Sequence, residues 1–251
     1  MIKESYTEKF YSYHSKYINN ALALRPPQHE SLEIFARLCD TLSLRKNPTT
    51  VQQISEAHQA ELDACETDEK RQKRISELAS QAAAEFYRED LAAVRHLCPT
   101  LTSFERDFPS VCFALATGIG KTRLMGACIA YLHYEKGIKN FFVMAPNLTI
   151  YNKLKDDLGN TSNPKYVFRG LDRFVSPPRI IDGDNYADFR QTAFGVNDVV
   201  INVFNISKLN SDSKVKDGNP ARIKRLNEVL GESYFSYLQS LPDLCIFMDE
   251  S

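Results

Sequence analysis

An α/β fold is what this sequence predicts: a parallel sheet with helices on both faces, preceded by a helical N-terminal region. Three observations carry that expectation. A strand-length apolar run, VCFAL (111–115), meets a glycine turn that opens straight into helix-spaced residues from Thr122. Further apolar runs, FFVMAP (141–146), DVVINVF (198–204) and LCIFM (244–248), recur with helix-forming stretches between the earlier ones. Strands that are apolar throughout and alternate with helices belong to sheets covered on both faces.

The elements follow in chain order. Residues 1–46 read as helical, with Phe10, Tyr13 and Tyr17 in series, a break at Pro26-Pro27, and a second helix through Leu32, Phe35, Leu38 and Leu42. Residues 47–99 read as a charged helical hairpin. Thr50 with Gln53 makes a capping box, and Thr67 stands before Asp68 and Glu69 in a first turn. Ile75, Leu78, Ala82 and Phe86 form a stripe at three-to-four spacing that ends before Pro99. The stripe is expected to pack on a partner helix or on the domain that follows, with a partner-binding arm as the alternative. The run DEKRQKR (68–74) reads as a solvated helix face.

Residues 100–251 form the third region. Leu124, Cys128, Ile129 and Leu132 predict a helix from 122 that stops at Gly137. LTIYNKLKDDL (148–158) is a second helix and KYVF (165–168) a further strand. Right-handed crossovers bring the carboxyl ends of parallel strands to one edge, where Lys121, Pro146, Asn205 and Asp249 are expected to gather.

Composition narrows the class. The 251 residues carry a net charge of −1, so any nucleic-acid contact must be local rather than driven by a global field. No apolar run approaches the roughly 20 residues that span a bilayer. The start, MIKESYTEKFYSYH, is polar rather than a basic segment before an apolar one, so a cytoplasmic location is expected. Cys39, Cys65, Cys98, Cys112, Cys128 and Cys245 are scattered without metal-ligand spacing and read as reduced core thiols.

The glycine turn carries the chemistry. A triphosphate needs backbone N–H groups converging on its oxygens, and only small residues with permissive φ allow that approach. Gly118 and Gly120 supply it. Lys121 is then placed for the β- and γ-phosphates, the Thr122 hydroxyl for Mg²⁺, and the helix points its positive end at the anion. Leu115 departs from the general G-x-x-x-x-G-K-[ST] pattern, standing where the first glycine would be. Downstream, LCIFMDES (244–251) ends an apolar strand in two carboxylates: Asp249 for the metal shell and Glu250 for the attacking water.

Loops written T-G-x-G-K-T and paired with a D-E-x-[HD] strand end resemble those of superfamily 2 helicases and translocases. The stretch FALATGIGKTRLMGACIAYLHYEKGIKNFFVMAPNLTIYNKLKDDL (113–158) is similar to the Res subunits of type III restriction enzymes and related DEAD/DEAH-box helicases. KYVFRG (165–170), INVFNISKL (201–209) and LGESYFSYLQSLPDLCIFMDES (230–251) share the likeness. The resemblance implies a RecA-like P-loop NTPase domain over 100–251, using ATP and Mg²⁺ to drive a motor on duplex DNA. Thr117, Gly118, Ile119, Gly120, Lys121 and Thr122 would hold the nucleotide, Thr122 and Asp249 the metal, and Lys121, Asp249 and Glu250 would carry hydrolysis. In the LRPPQ element, Gln28 with Arg25 beside it would read the adenine edge.

By the same resemblance, Pro146 and Asn147 in APN, and Asn205 and Lys208 in FNISK, would grip DNA phosphates without reading sequence. A methyltransferase subunit and a second motor domain are implied partners, and the chain is expected to be a fragment ending inside its active site. A helicase without nuclease remains an alternative. So does a nucleotide-dependent switch module, which would tolerate loss of Glu250 where a motor would not. SKVKDGNPARIKR (213–225) reads as a solvated loop, and Pro242-Asp243 as a turn into the last strand rather than part of a nuclease core.

Overall fold

The computed structural model describes residues 13–104, 106–182, 185, 199–205, 226–227 and 232–249. The described residues fall into two compact units, one over 34–114 and one made of 13–33 together with 115 onward.

In the first unit, α3 (Val51–Ala57) opens with the expected box: Thr50 Oγ1 accepts from the Gln53 backbone N–H, and Gln53 Oε1 accepts from Thr50 N–H at 2.9 Å. After α4 (Gln59–Asp63), α5 (Asp68–Phe86) begins at Thr67, whose side chain accepts from Lys70 N–H. Such caps satisfy backbone donors that a helix start leaves orphaned, each worth about 1 kcal/mol. Ile54, Leu62 and Leu78 form a small core joined by Ile75, Ala79 and Ala82, so the stripe packs on neighbouring helices. Gln72, Lys73 and Ser76 are exposed, while half-buried Arg74, at the margin of the packed face, bridges Glu61 of α4 and Glu77. In α6 (Arg88–Leu97), buried Asp90 accepts from both the backbone and the hydroxyl of Ser43, each at 2.7 Å.

The strand expected at 111–115 is not formed: these residues are irregular, and Val111 is 45% exposed. A strand exists only by pairing, and residues 111–114 lie in a unit whose described residues contain no other strand. The six cysteines are all thiols, but only Cys39 and Cys128 are buried. Cys112 is exposed because it belongs to that irregular run.

The second unit is built on a four-stranded, all-parallel sheet in the order β2 (Arg179–Ile181), β3 (Val200–Asn205), β1 (Asn140–Ala145), β6 (Leu244–Met248). Phe141 pairs with Ile201 on one side and Cys245 on the other, which fixes the register across the sheet. One face collects Phe142, Val200 and Phe204 beneath Tyr234 and Leu238 of α9 (Tyr234–Ser240). The Tyr234 hydroxyl donates to Asn202 Oδ1, and Asn202 Nδ2 donates to the Phe141 carbonyl, so a buried polar pair is satisfied rather than stranded. The other face is covered by α8 (Leu148–Gly159), which comes so near β2 that a Cβ on Gly159 would stand 2.4 Å from Ile180 Cγ1. Helices therefore lie on both faces. A two-stranded antiparallel pair, β4 (Leu226–Asn227) and β5 (Glu232–Ser233), precedes α9. Pro242 and Asp243 form a turn, and Asp243 caps the start of β1 by accepting from Lys139 N–H and Asn140 Nδ2.

Central to this unit is α7 (Lys121–Lys136), buried on every side from Leu124 to Tyr134 and closed by Gly137 at φ 68°. Helix α1 (Tyr13–Leu22) packs on it. There the rings of His14 and Tyr17 meet Tyr134, and the hydroxyls of Tyr17 and Tyr134 both donate to Asp172. KYVF is not a strand either. Its residues form turns, because the Val167 N–H donates to the Asp157 carbonyl at the end of α8 and the Tyr166 N–H to Asn163. With those bonds made locally, no ladder is left to build, although Tyr166, Val167 and Phe168 are buried as an apolar run should be.

Candidate nucleotide-binding site

The site grows from the turn between residues 115 and 121. Gly118 at φ 81° and Gly120 at φ 95° sit in the left-handed region that other residues avoid, which bends the backbone so that Lys121 is the first residue of α7. The first N–H groups of a helix have no intrahelical acceptor, and so face a ligand with donors and a partial positive charge. Gly120 is the cap, and its carbonyl accepts from Arg123 and Leu124 N–H.

Around this turn lies a cleft of about 740 Å³ lined by Thr117, Gly118, Ile119, Gly120, Lys121 and Thr122, together with Asp249. Asp249 follows directly on β6 and is 8% exposed, its backbone N–H donating to Met144 O across the β1 edge. Parallel pairing of β6 with β1 therefore delivers the carboxylate to the same edge as the helix start. Basic groups dominate the lining: Arg25, Lys121, Arg123, Lys153 and Lys165 against Asp157 and Asp249. The cleft is thus suited to a polyanion, with a hydroxyl and a carboxylate, Thr122 and Asp249, as oxygen donors for a hard cation.

Arg25 and Gln28 reach this cleft from α2 (Pro26–Thr41) and its entry turn. The Gln28 amide donates to the carbonyls of Ile119 and Gly120, each at 2.9 Å, while Gln28 Oε1 accepts from Arg25 N–H at 2.8 Å. The Arg25 guanidinium donates to Gly118 O at 3.2 Å. Buried Gln28 thus holds the turn itself, with both amide hydrogens committed to it. Arg123 donates to Leu22 O at 2.9 Å, tying the start of α7 to the end of α1.

The residues expected to grip a nucleic acid are placed unevenly. Asn147 caps α8, accepting from Ile150 N–H at 2.9 Å. Pro146 follows β1, and Asn205 is buried at the end of β3 with 4% exposure. Glu250 and Lys208 lie outside the described residues, as does the basic run at 213–225. Sequence reasoning missed Lys153, Asp157 and Lys165. The signal was a Lys–Asp pair at i,i+4 on the helix after β1, a spacing that ordinarily marks only a solvated ion pair.

A parallel α/β domain with a glycine turn and an acidic strand end at one sheet edge is the class defined by this fold and site. The family model described as "Type III restriction enzyme, res subunit" matches residues 22–251, and the chain belongs to that family. It is 26% identical over 138 residues to the "Probable type III restriction-modification enzyme HindVIP Res subunit" of Haemophilus influenzae, a match over 51% of this chain. That match spans 25% of the relative's length. No solved structure matches the chain.

Proposed function

We propose that the chain binds ATP with Mg²⁺ in this cleft and is the ATP-binding motor domain of a DNA helicase or translocase, the restriction subunit of a type III restriction-modification system. The observation that carries the reading is the convergence of Lys121, Thr122 and Asp249 on one basic cleft at the carboxyl edge of the sheet. Mg²⁺, when bound, neutralises charge on the β- and γ-phosphates. The backbone N–H groups at the start of α7 cradle the phosphates, Lys121 places an ammonium on the β- and γ-oxygens, and Thr122 and Asp249 supply oxygens to the metal shell. Glu250, next to Asp249, orients the attacking water.

Family membership supports extending this to DNA, gripped through its backbone by residues around Pro146, Asn147, Asn205 and Lys208, and to a methyltransferase partner and a second motor domain. The division proposed along the chain is helical regions at 1–46 and 47–99 ahead of a motor domain at 100–251. Among the described residues no helix is long and apolar enough to cross a membrane, and the location proposed is the cytoplasm.

A titration with a fluorescent ATP analogue tests the site. The wild-type chain should bind in the presence of Mg²⁺ and Lys121→Ala should not; equal affinities would overturn the assignment.

A further inference from the structure

We infer that Lys153 is a second phosphate-binding cation, one that makes the site select a nucleoside triphosphate over a diphosphate. The inference rests on the nucleotide reading of the cleft. Lys153 stands on α8, outside the glycine turn, yet its ammonium donates to the Thr122 hydroxyl at 3.1 Å and lines the same cleft. It is aimed there by Asp157, one helical turn further on, at 3.3 Å.

Asp157 is an anchor rather than a mobile surface carboxylate. Its side chain is 6% exposed. Its other oxygen accepts from Asn163 Nδ2 at 3.0 Å, and its backbone carbonyl accepts from Val167 N–H at 2.9 Å. The lysine, by contrast, is 46% exposed, so its ammonium is accessible to a ligand entering the cleft. An ammonium has three donors, and the Thr122 hydroxyl and Asp157 take two of them.

Position decides which phosphate is read. The threonine of such a turn would stand at the terminal-phosphate end, its hydroxyl an oxygen donor to the metal. A cation on that hydroxyl would lie nearer the γ-phosphate than the α-phosphate. With the Thr122 oxygen given to a metal, the Lys153 donor would be free for a phosphate oxygen, and the γ-phosphate would add an anion there that a diphosphate lacks. Loss of a single charge-assisted hydrogen bond corresponds to roughly tenfold or more in affinity.

The test is a pair of titrations of the 251-residue chain with fluorescent ATPγS and fluorescent ADP in Mg²⁺, for wild type and for Lys153→Met, which keeps the stem and removes the charge. Wild type should prefer the triphosphate, and Lys153→Met should lose roughly tenfold for ATPγS while its ADP affinity stays within about twofold. Lys153→Arg, which keeps the charge, should retain most of the preference. A Lys153→Met chain with the wild-type ratio of affinities overturns this inference alone. An equal loss for both nucleotides does so too, marking the lysine as structural. A wild-type chain that binds neither nucleotide overturns the nucleotide reading and this inference with it.

Discussion

The side-chain amide of Gln28 donates to the carbonyl of Gly120 at 2.9 Å, and a Cβ added to Gly120 would stand 2.7 Å from that same nitrogen. Gln28 and the glycine turn are therefore fitted to each other. The amide that sequence reasoning assigns to the adenine edge is occupied with the backbone that would hold the phosphates.

From this contact, Gln28→Ala should weaken binding of ATP and GTP alike, by roughly tenfold, because it frees the turn rather than removing a base contact. Competition titrations with the two nucleotides measure the ratio. A loss confined to ATP would instead support the adenine-reading role.

The two left-handed glycines should differ in tolerance. Gly118→Ala meets nothing within 4 Å and carries only the backbone cost of φ 81°, about 1–2 kcal/mol. Gly120→Ala adds to a similar cost a collision with a buried, doubly bonded side chain. Nucleotide affinity should fall several-fold in the first variant and be lost in the second.

His133 sets a pH dependence of stability. Burial holds its imidazole below the ordinary 6.5, with the charges of Arg173 and Lys139 acting in the same direction against its hydrogen bond to Ile138 O. Between the lowered folded value and 6.5, the unfolded chain binds the proton and the folded chain resists it, so stability falls as pH drops through that window. Urea unfolding midpoints at pH 7.5 and 5.5 should show a smaller difference in His133→Gln than in wild type.

Much of this fold is legible because its signals are local. The Thr50–Gln53 box, the Thr67 cap, the Gly137 stop and α8 behind Asn147 each depend on residues within one or two turns of each other. Misreadings arise where pairing is nonlocal. VCFAL and KYVF have strand composition, but the first lies in a unit without another described strand and the second spends its N–H groups on Asn163 and Asp157. The three-residue β2 is too short to show a pattern. In the site, Lys121, Thr122 and Asp249 are readable from motif and strand end, whereas Lys153 is separated from Thr122 by 31 positions and looks like any surface lysine. The stripe read in α7 understates a helix whose Ala127, Ala130, Tyr131 and His133 are buried as well.

The brace between Gln28 and the glycine turn spans 92 positions of chain. A contact of that separation closes a long loop, and so loses chain entropy before any bond is made. A polypeptide beginning beyond residue 33 would therefore display every recognisable motif while lacking the clamp that braces the turn.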